Sequence, residues 1–145
     1  MKIAEITINF KPIRRACELT QITNSKQLSD FFRSIWSHRI EYVEEFYLLL
    51  LNRGNKILGF VKLSEGGTCG TVVDIKMIFQ AALKANAQYI VVCHNHPSGG
   101  LQPSQTDIYL TKKIADAGRL IGIELLDHII LTAESYYSFV DEGVL

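Results

Sequence analysis

Two histidines and one aspartate form the chemical pattern that stands out in this sequence. His94 and His96 are separated by a single residue and follow a short apolar run. Alternate side chains of an extended chain point the same way, so both imidazoles can reach one ion where a strand ends. Asp107 would lie in the first turn of a following helix and fold back as a third ligand. Two neutral imidazoles and one carboxylate suit zinc, and three protein ligands leave a fourth position for water, as in catalytic sites.

Each of these residues also has an ordinary structural interpretation. A single histidine in a loop is usually solvated or hydrogen-bonded to its neighbours. An acid in the first turn of a helix, such as Asp107, is favoured by the positive end of the helix. Ser104, three residues before Asp107, is a plausible helix N-cap. Taken one at a time, these simpler interpretations are preferred, so the zinc hypothesis depends on the residues acting together.

The first half of the chain supplies two amphipathic helices and a hairpin around the pattern. Ser25 is a plausible N-cap for the first helix and Asp74 for the second. Residues 46–51 form an almost wholly apolar run that looks buried on both faces, and residues 56–62 resume extended character after a Gly-containing turn, which indicates a hairpin. The apolar residues that share a helical face are Leu28, Phe31, Phe32 and Ile35, then Ile75, Ile78, Phe79 and Ala82.

Strands and helices continue to alternate in the rest of the chain, which predicts an α/β fold with a central mixed sheet. Polar loops at the ends of its strands are the natural place for chemistry, and we expect such a loop to begin at His94. The other predicted segments are an N-terminal strand carrying Ile3, Ile6 and Ile8, a buried strand over 89–93, a helix from near Ser104 to Gly118, and two strands over 121–126 and 128–131.

The full pattern resembles the signature of the JAMM (MPN) metalloproteases. It reads His-x-His, seven residues, then Ser-x-x-Asp, and the wording HNHPSG, PSQTD, LLDH and YSF is similar to the RadC branch of that group. The resemblance covers about residues 44–145. It implies a three-layer α/β sandwich of the JAB/MPN, cytidine-deaminase-like type, with a central mixed sheet flanked by helices. We expect residues 1–145 to form a single domain of this kind, without the helix-hairpin-helix region of longer RadC proteins.

The resemblance also implies catalytic roles for two residues. Zinc, one ion per chain, would be held by His94, His96 and Asp107. A glutamate at the start of the first central strand would act as general base on the attacking water, and the family's Glu-x-Phe wording selects Glu44 over Glu45. Without the resemblance, both acids read as solvated residues at a strand start. Ser104 would donate a hydrogen bond to the oxyanion of the tetrahedral intermediate.

Three further features carry smaller expectations. Asp127 and His128 match the LLDH wording and could support the metal ligands, but the preferred interpretation is a buried, hydrogen-bonded histidine between two strands, and His128 is not counted as a ligand. Cys93 is next to His94, but strand alternation directs it away from both histidines, so we expect it to serve packing. Asp74-Ile75-Lys76 replaces the Pro-Arg-Glu that is frequent in the family, a departure that bears on partner contacts and not on metal binding.

Composition excludes several classes of function. Fifteen basic residues balance fifteen acidic ones, so no global positive field drives binding to DNA or anionic lipid. No apolar run reaches the roughly 20 residues that span a bilayer, and the N-terminus does not read as a signal peptide, so we expect a cytoplasmic protein. Its three cysteines are expected to be reduced. A modest basic patch, which would give only weak DNA contact, comprises Arg33, Arg39, Lys112, Lys113 and Arg119.

Other functional classes fit the sequence less well. HNH nucleases disperse their three residues along a ββα motif, whereas here they are contiguous. A zinc cytidine deaminase needs His-x-Glu and a later Pro-Cys-x-x-Cys, which are absent from this sequence. The remaining alternative is a non-catalytic DNA-repair or mobile-element accessory protein that keeps the zinc fold for binding. A peptide or protein substrate, cleaved at an amide or isopeptide bond, remains the expectation.

Overall fold

A five-stranded mixed sheet organises the computed structural model, which describes residues 3–4, 7, 11–66 and 72–145. The strand order is β2-β1-β3-β4-β5, and β3 and β4 are the parallel pair. The predicted N-terminal strand falls mainly on Ile6 and Ile8, which lie outside the described residues. The elements are a 3₁₀ turn (Ala16–Glu18), α1 (Ser25–Ile35), β1 (Glu45–Leu51), β2 (Ile57–Glu65), α2 (Ile75–Lys84), β3 (Tyr89–Asn95), α3 (Gln105–Ile121), β4 (Glu124–Leu131) and β5 (Tyr136–Ser138).

Helices cover both faces of the sheet, which confirms the predicted three-layer α/β architecture. Strand β1 is buried along its whole length because its two sets of alternate side chains enter two separate cores. On one face, α2 and α3 pack over Phe46, Leu48, Leu50, Ile90 and Val92. On the other, α1 packs over Tyr47, Leu49, Leu51, Val91 and Cys93.

The helix starts follow capping chemistry, with one correction. Asp74 caps α2 as predicted, since its carboxylate accepts a hydrogen bond from the Lys76 amide. The cap of α1 is Asn24 and not Ser25, because the Asn24 side chain accepts from the amide of Gln27 at 2.9 Å and Ser25 already belongs to the helix. Both residue types cap well, and the chain uses the earlier one.

Strand β3 is longer than predicted, and the loop does not begin at His94. Cα pairing continues on both sides, with His94 opposite Phe46 and Ile130, and Asn95 opposite Leu131. The Asn95 side chain makes this possible: its oxygen accepts the Glu45 amide at 2.7 Å. A polar residue therefore stays inside a buried strand because its hydrogen bonds are satisfied.

Strand β4 is one strand, whereas the sequence predicted two separated at Asp127. A register shift opposite Ile90 and Val91 absorbs one extra residue, so pairing resumes at Asp127. The buried Asp127 carboxylate accepts from the Ser138 hydroxyl at 2.6 Å and from the Val140 amide at 3.2 Å. These partners are the last residue of β5, a strand that the sequence did not predict, and the second residue after it.

Helix α3 ends three residues later than predicted. It continues to Ile121, and Gly122 then adopts the left-handed conformation with φ 75°. Gly118 is an interior residue of the helix, and a Cβ there would lie 2.1 Å from the Ile123 carbonyl oxygen. Among the described residues, no helix has both the length and the apolar character needed to cross a bilayer.

Candidate metal centre

The candidate ligands meet where β3 ends and α3 begins. His94 lies in the strand, and His96 follows it, held by a hydrogen bond of 3.0 Å from its amide to the Leu131 carbonyl of β4. Asp107 is in the first turn of α3. The parallel β3-α3-β4 connection therefore brings His96 and Asp107, which have ten residues between them, to one edge of the sheet.

The three side chains converge on one point. The Nε2 atoms of His94 and His96 are 3.0 Å apart. Asp107 Oδ1 is 3.3 Å from His94 Nε2, and Asp107 Oδ2 is 3.6 Å from His96 Nε2. One ligand atom from each residue lies within 4.8 Å of the others, and in the part of the chain that the structure describes no second group of this kind occurs. The set could hold one metal ion.

The donor chemistry of this group fits zinc. His96 Nδ1 lies 2.6 Å from the Gly100 carbonyl oxygen, which can only accept, so Nδ1 carries a proton, and in the neutral ring, the form that can bind a metal, Nε2 presents its lone pair. His94 also directs Nε2 at the same point. Two imidazole nitrogens and one carboxylate are a typical ligand set for catalytic zinc, and softer thiolates are absent from the group.

Asp107 is held in its charged form. Burial alone would raise the pKa of its carboxyl group, but hydrogen bonds from His94, His96 and Ser104 outweigh that effect and place the pKa far below its usual range. In the metal-free protein the pKa of His96 is raised, chiefly by its hydrogen bond to Asp107. The carboxylate is therefore available as an anionic ligand at any physiological pH.

Ser104 is the N-cap of α3 and forms a reciprocal capping box with Asp107. The Asp107 amide donates to the Ser104 hydroxyl at 3.1 Å, while the Ser104 amide and hydroxyl both donate to Asp107 Oδ2 at 2.7 Å. Ser104 also lines the cleft beside the histidines. The structure thus shows the capping role, and donation to an oxyanion stays a prediction.

The two glutamates that precede Phe46 lie on opposite faces of the sheet. Glu44 lines a cleft of about 400 Å³ together with His94, His96 and Asp107. Glu45 is fully buried on the α1 face, where its carboxylate accepts from Ser37 at 3.0 Å and from Lys62 at 2.6 Å. The structure therefore brings Glu44 to the candidate ligands and keeps Glu45 away from them.

Several residues that shape the centre were not singled out by the sequence. Asn95 donates to the carbonyls of Ile40 at 2.6 Å and Val43 at 2.9 Å, and so fixes the segment that presents Glu44. Thr111 lies one helical turn after Asp107 and contacts His128, which in turn contacts His94. The spacing of four between Asp107 and Thr111 was the available signal.

Two smaller expectations have clear outcomes. Cys93 is fully buried in the core on the α1 face, which confirms its packing role, and burial raises the pKa of its thiol. His128 is fully buried and hydrogen-bonded, as one interpretation proposed, and its partner is His94, as the other proposed. Burial also lowers the pKa of His128 well below its ordinary value. The two interpretations of His128 are therefore compatible.

A larger cavity, of about 790 Å³, lies at the opposite end of the sheet where β3 and β4 begin. Its polar lining includes Arg53, Gln88, Arg119 and Glu124. None of the candidate ligands lines it. The candidate metal centre is therefore identified by the convergence of ligand atoms and not by the size of its cavity.

Fold and site together define a class: three-layer α/β domains with an open His-x-His and aspartate group at the carboxyl ends of their parallel strands. The sequence matches the model of the RadC-like JAB domain over residues 22–144, and the chain belongs to this family. The resemblance to the RadC branch is thereby confirmed.

Curated relatives support this membership. A UPF0758 protein of Flavobacterium johnsoniae is 44% identical over 127 residues, covering 88% of this chain and 55% of the relative. UPF0758 proteins of Pelobacter propionicus and Staphylococcus carnosus are 39% and 38% identical, covering 91% and 85% of this chain and 57% and 54% of their own lengths. The chain spans about half the length of the curated relatives it matches.

Proposed function

We propose that this domain is a zinc-dependent hydrolase of the JAMM type that cleaves an amide bond, either peptide or isopeptide. The observation that carries the proposal is the convergence of His94, His96 and Asp107 in the cleft that Glu44 also lines. A metal-ligating group without a neighbouring base would suit structural binding equally well. A carboxylate in the same cleft supports catalysis.

His94, His96 and Asp107, which line the cleft, would hold the ion. When bound, zinc supplies Lewis-acid activation of water and of the scissile carbonyl. Glu44 is the group that accepts the proton of the attacking water and returns it to the leaving amine. Glu44 lines the same cleft as the three candidate ligands, which places a carboxylate where a base is needed.

Ser104 is proposed to stabilise the oxyanion. Its hydroxyl proton points to Asp107 Oδ2 in the structure. A hydroxyl rotates about one bond and has two acceptor positions, so it can turn its proton toward a substrate oxygen while it still accepts the Asp107 amide. The amide of Ser104 would continue to hold Oδ2 during that rotation.

The lining of the cleft favours a carbonyl substrate over a phosphodiester. Glu44 and Asp107 are acidic, and in the described part of the cleft neither Lys nor Arg is present to balance developing phosphate charge. The other lining residues include Phe46, Val72 and Leu110, which suit an apolar side chain of a peptide. Electrostatic repulsion would oppose a nucleic-acid backbone at this site.

The basic residues give little support for DNA binding. Arg33 donates to the carbonyls of Ala133 at 2.9 Å and Ser135 at 2.7 Å, and Arg39 pairs with Glu65. Arg119 pairs with Asp116 at 3.2 Å. Any direct contact with DNA is therefore proposed to be weak and salt-sensitive.

The test incubates zinc-loaded protein with a mixed peptide library, plasmid and single-stranded DNA, next to the Glu44→Gln variant. We expect peptide products that depend on Glu44 and intact DNA. Glu44-dependent cutting of DNA without peptide products would contradict the amide-hydrolase proposal. Stoichiometric zinc with no activity on any substrate would favour the non-catalytic accessory protein.

A further inference from the structure

We infer that Thr111 and His128 are positioning residues that fix the tautomer of His94 and so direct its Nε2 lone pair into the cleft. Only one part of its test, the measurement of zinc affinity, rests on the proposed function. It concerns a chain of hydrogen bonds that starts at the backbone of α3 and ends at a candidate ligand. We call it the Thr111–His128–His94 chain.

The direction of the first hydrogen bond is fixed by a backbone carbonyl. Thr111 Oγ1 lies 2.6 Å from the Asp107 carbonyl oxygen, which can only accept, so the hydroxyl proton points there. Thr111 Oγ1 is also 2.6 Å from His128 Nδ1. Because its one proton is already committed, the hydroxyl must accept at this second contact. His128 therefore carries a proton on Nδ1.

Burial fixes the next step. His128 has no exposed surface, and its ring stacks on Phe139 with centroids 4.6 Å apart. A charged imidazolium in such a place is unfavourable, so the ring holds only the Nδ1 proton and its Nε2 is an acceptor. His94 Nδ1 lies 2.8 Å from that atom. His94 must then donate from Nδ1, so the neutral His94 ring, the form that can bind a metal, has no proton on Nε2.

The result matches the arrangement of the second histidine. His96 donates from Nδ1 to the Gly100 carbonyl, so its Nε2 is bare as well. The two ligands reach the same tautomer by different routes, one through a backbone carbonyl and the other through two buried side chains. Phe46 also stacks on His94, with the ring planes inclined by 8°, and limits rotation of that ring.

Replacing Thr111 should invert the chain. In Thr111→Val, His128 Nδ1 loses its acceptor, and the favoured neutral tautomer moves the proton to Nε2. His128 would then donate to His94 Nδ1, and the His94 proton would occupy Nε2, where it competes with a metal. Loss of a partner that orients a ligand typically lowers metal affinity about 10- to 100-fold.

The experiment combines nitrogen NMR of the metal-free protein with zinc affinity. With ¹⁵N-labelled histidine, we expect the His128 proton on Nδ1 in the wild type and on Nε2 in Thr111→Val. Zinc affinity, measured by chelator competition, should fall about 10- to 100-fold in Thr111→Val. Thr111→Ser restores the hydroxyl and should recover both properties.

Thr132→Val is the matched control. Thr132 is an equally buried threonine whose hydroxyl bonds to the Ser135 backbone and not to a histidine, so this variant should keep wild-type tautomers and affinity. A His128 proton on Nε2 in the wild type would overturn the inference, as would wild-type affinity in Thr111→Val. If His128 is protonated on Nδ1 but the wild type binds no zinc, the hydrogen-bond chain stands and the zinc proposal fails.

Discussion

The two faces of the sheet differ sharply at the edge where β1 starts and β3 ends. Consecutive residues alternate between the faces, so Glu44 and His94 lie on the α2 and α3 side, and Glu45 and Asn95 lie on the α1 side. On the α1 side each charge has a partner: Lys62 binds both Glu45 and Glu65, and the latter also binds Arg39. On the other side, ligand atoms converge and acidic groups outnumber basic ones.

The two faces therefore illustrate two roles for buried polar groups: stabilising the fold on the α1 side, and offering ligand atoms on the other side. A buried carboxylate with a cation and a hydroxyl donor, such as Glu45, holds the chain in place. A group of lone pairs and carboxylates without cations is costly unless a cation joins it. The same strands therefore carry a completed network on one face and, on the other, a group that could hold a cation. Substitutions on the two faces should have different consequences.

The largest effect is expected from removing a ligand. His96→Ala should abolish stoichiometric zinc binding, because two remaining ligands do not form a stable site. Asp107→Asn, which keeps an oxygen to accept the Ser104 amide, should lose zinc while it preserves the helix cap. Elemental analysis of purified, folded protein measures both. Full zinc occupancy in the two variants would show that the metal assignment is wrong.

Glu44→Gln comes next. We expect zinc to remain bound and hydrolysis to fall about 100-fold or more, as is typical when a general base is removed. Because Glu44 has no cationic partner among the described residues, the unfolding free energy should change by less than about 0.5 kcal/mol. Rates with an amide substrate and a denaturation curve are the measurements. A Glu44→Gln variant with wild-type activity would show that Glu44 is not the general base, and the contrast between a catalytic face and a structural face would fail.

Glu45→Gln tests the other face. Removing one partner of a buried ion pair costs about 3–5 kcal/mol, but Lys62 is 35% exposed and keeps Glu65, so we expect about 1–3 kcal/mol here. Zinc content and the rate per folded molecule should stay at wild-type values. Chemical denaturation and active-site titration separate the two effects. A rate loss equal to that of Glu44→Gln would erase the distinction between the faces.

The smallest effect is the pH dependence of stability in the metal-free protein. Two histidines on the cleft face, His128 and His96, change the unfolding free energy with pH in opposite directions. The pKa of buried His128 is lowered, so the unfolded state takes up the extra proton, and stability falls as pH drops below about 6.5, by at most about 1.4 kcal/mol per pH unit. The pKa of His96 is raised, so its contribution is present below about 6.5 and is lost as pH rises through the raised value.

Denaturation curves with a chelator between pH 5.5 and 8 measure this profile. His128→Gln should flatten the acidic limb and His96→Ala the alkaline limb. A profile that keeps both limbs in these two variants would contradict the assignments.

Local patterns in the sequence were enough to predict most of the architecture. Helical and alternating periodicity indicated α1, the β1–β2 hairpin, α2 and the start of α3, because each pattern depends on neighbouring residues. Two of the errors, at the end of β3 and within β4, occurred where distant residues satisfy a buried polar group. His94 and Asp127 look like strand ends, yet pairing with neighbouring strands and bonds from residues such as Ser138 keep them inside β3 and β4.

The residues of the candidate site were likewise only partly predictable from the sequence. The spacing of His94, His96 and Asp107 predicted that they meet, and the family's Glu-x-Phe wording selected Glu44, which alternation then placed on the same face as Phe46. Thr111 and Asn95 could not be recognised, because their importance comes from contacts across the fold: Thr111 with His128, and Asn95 with the segment before β1. The roles of Glu44 and Ser104 in catalysis stay predictions.

The shared carboxylate of Asp107 links two equilibria. One oxygen closes the first turn of α3 through Ser104, and the other faces His94. A cation that binds this carboxylate must also make fraying of that turn less favourable. By reciprocity, fraying of the turn must weaken cation binding by the same factor. Zinc should therefore increase protection of the Ser104 and Asp107 amides from hydrogen exchange, which makes the start of α3 a built-in reporter of occupancy.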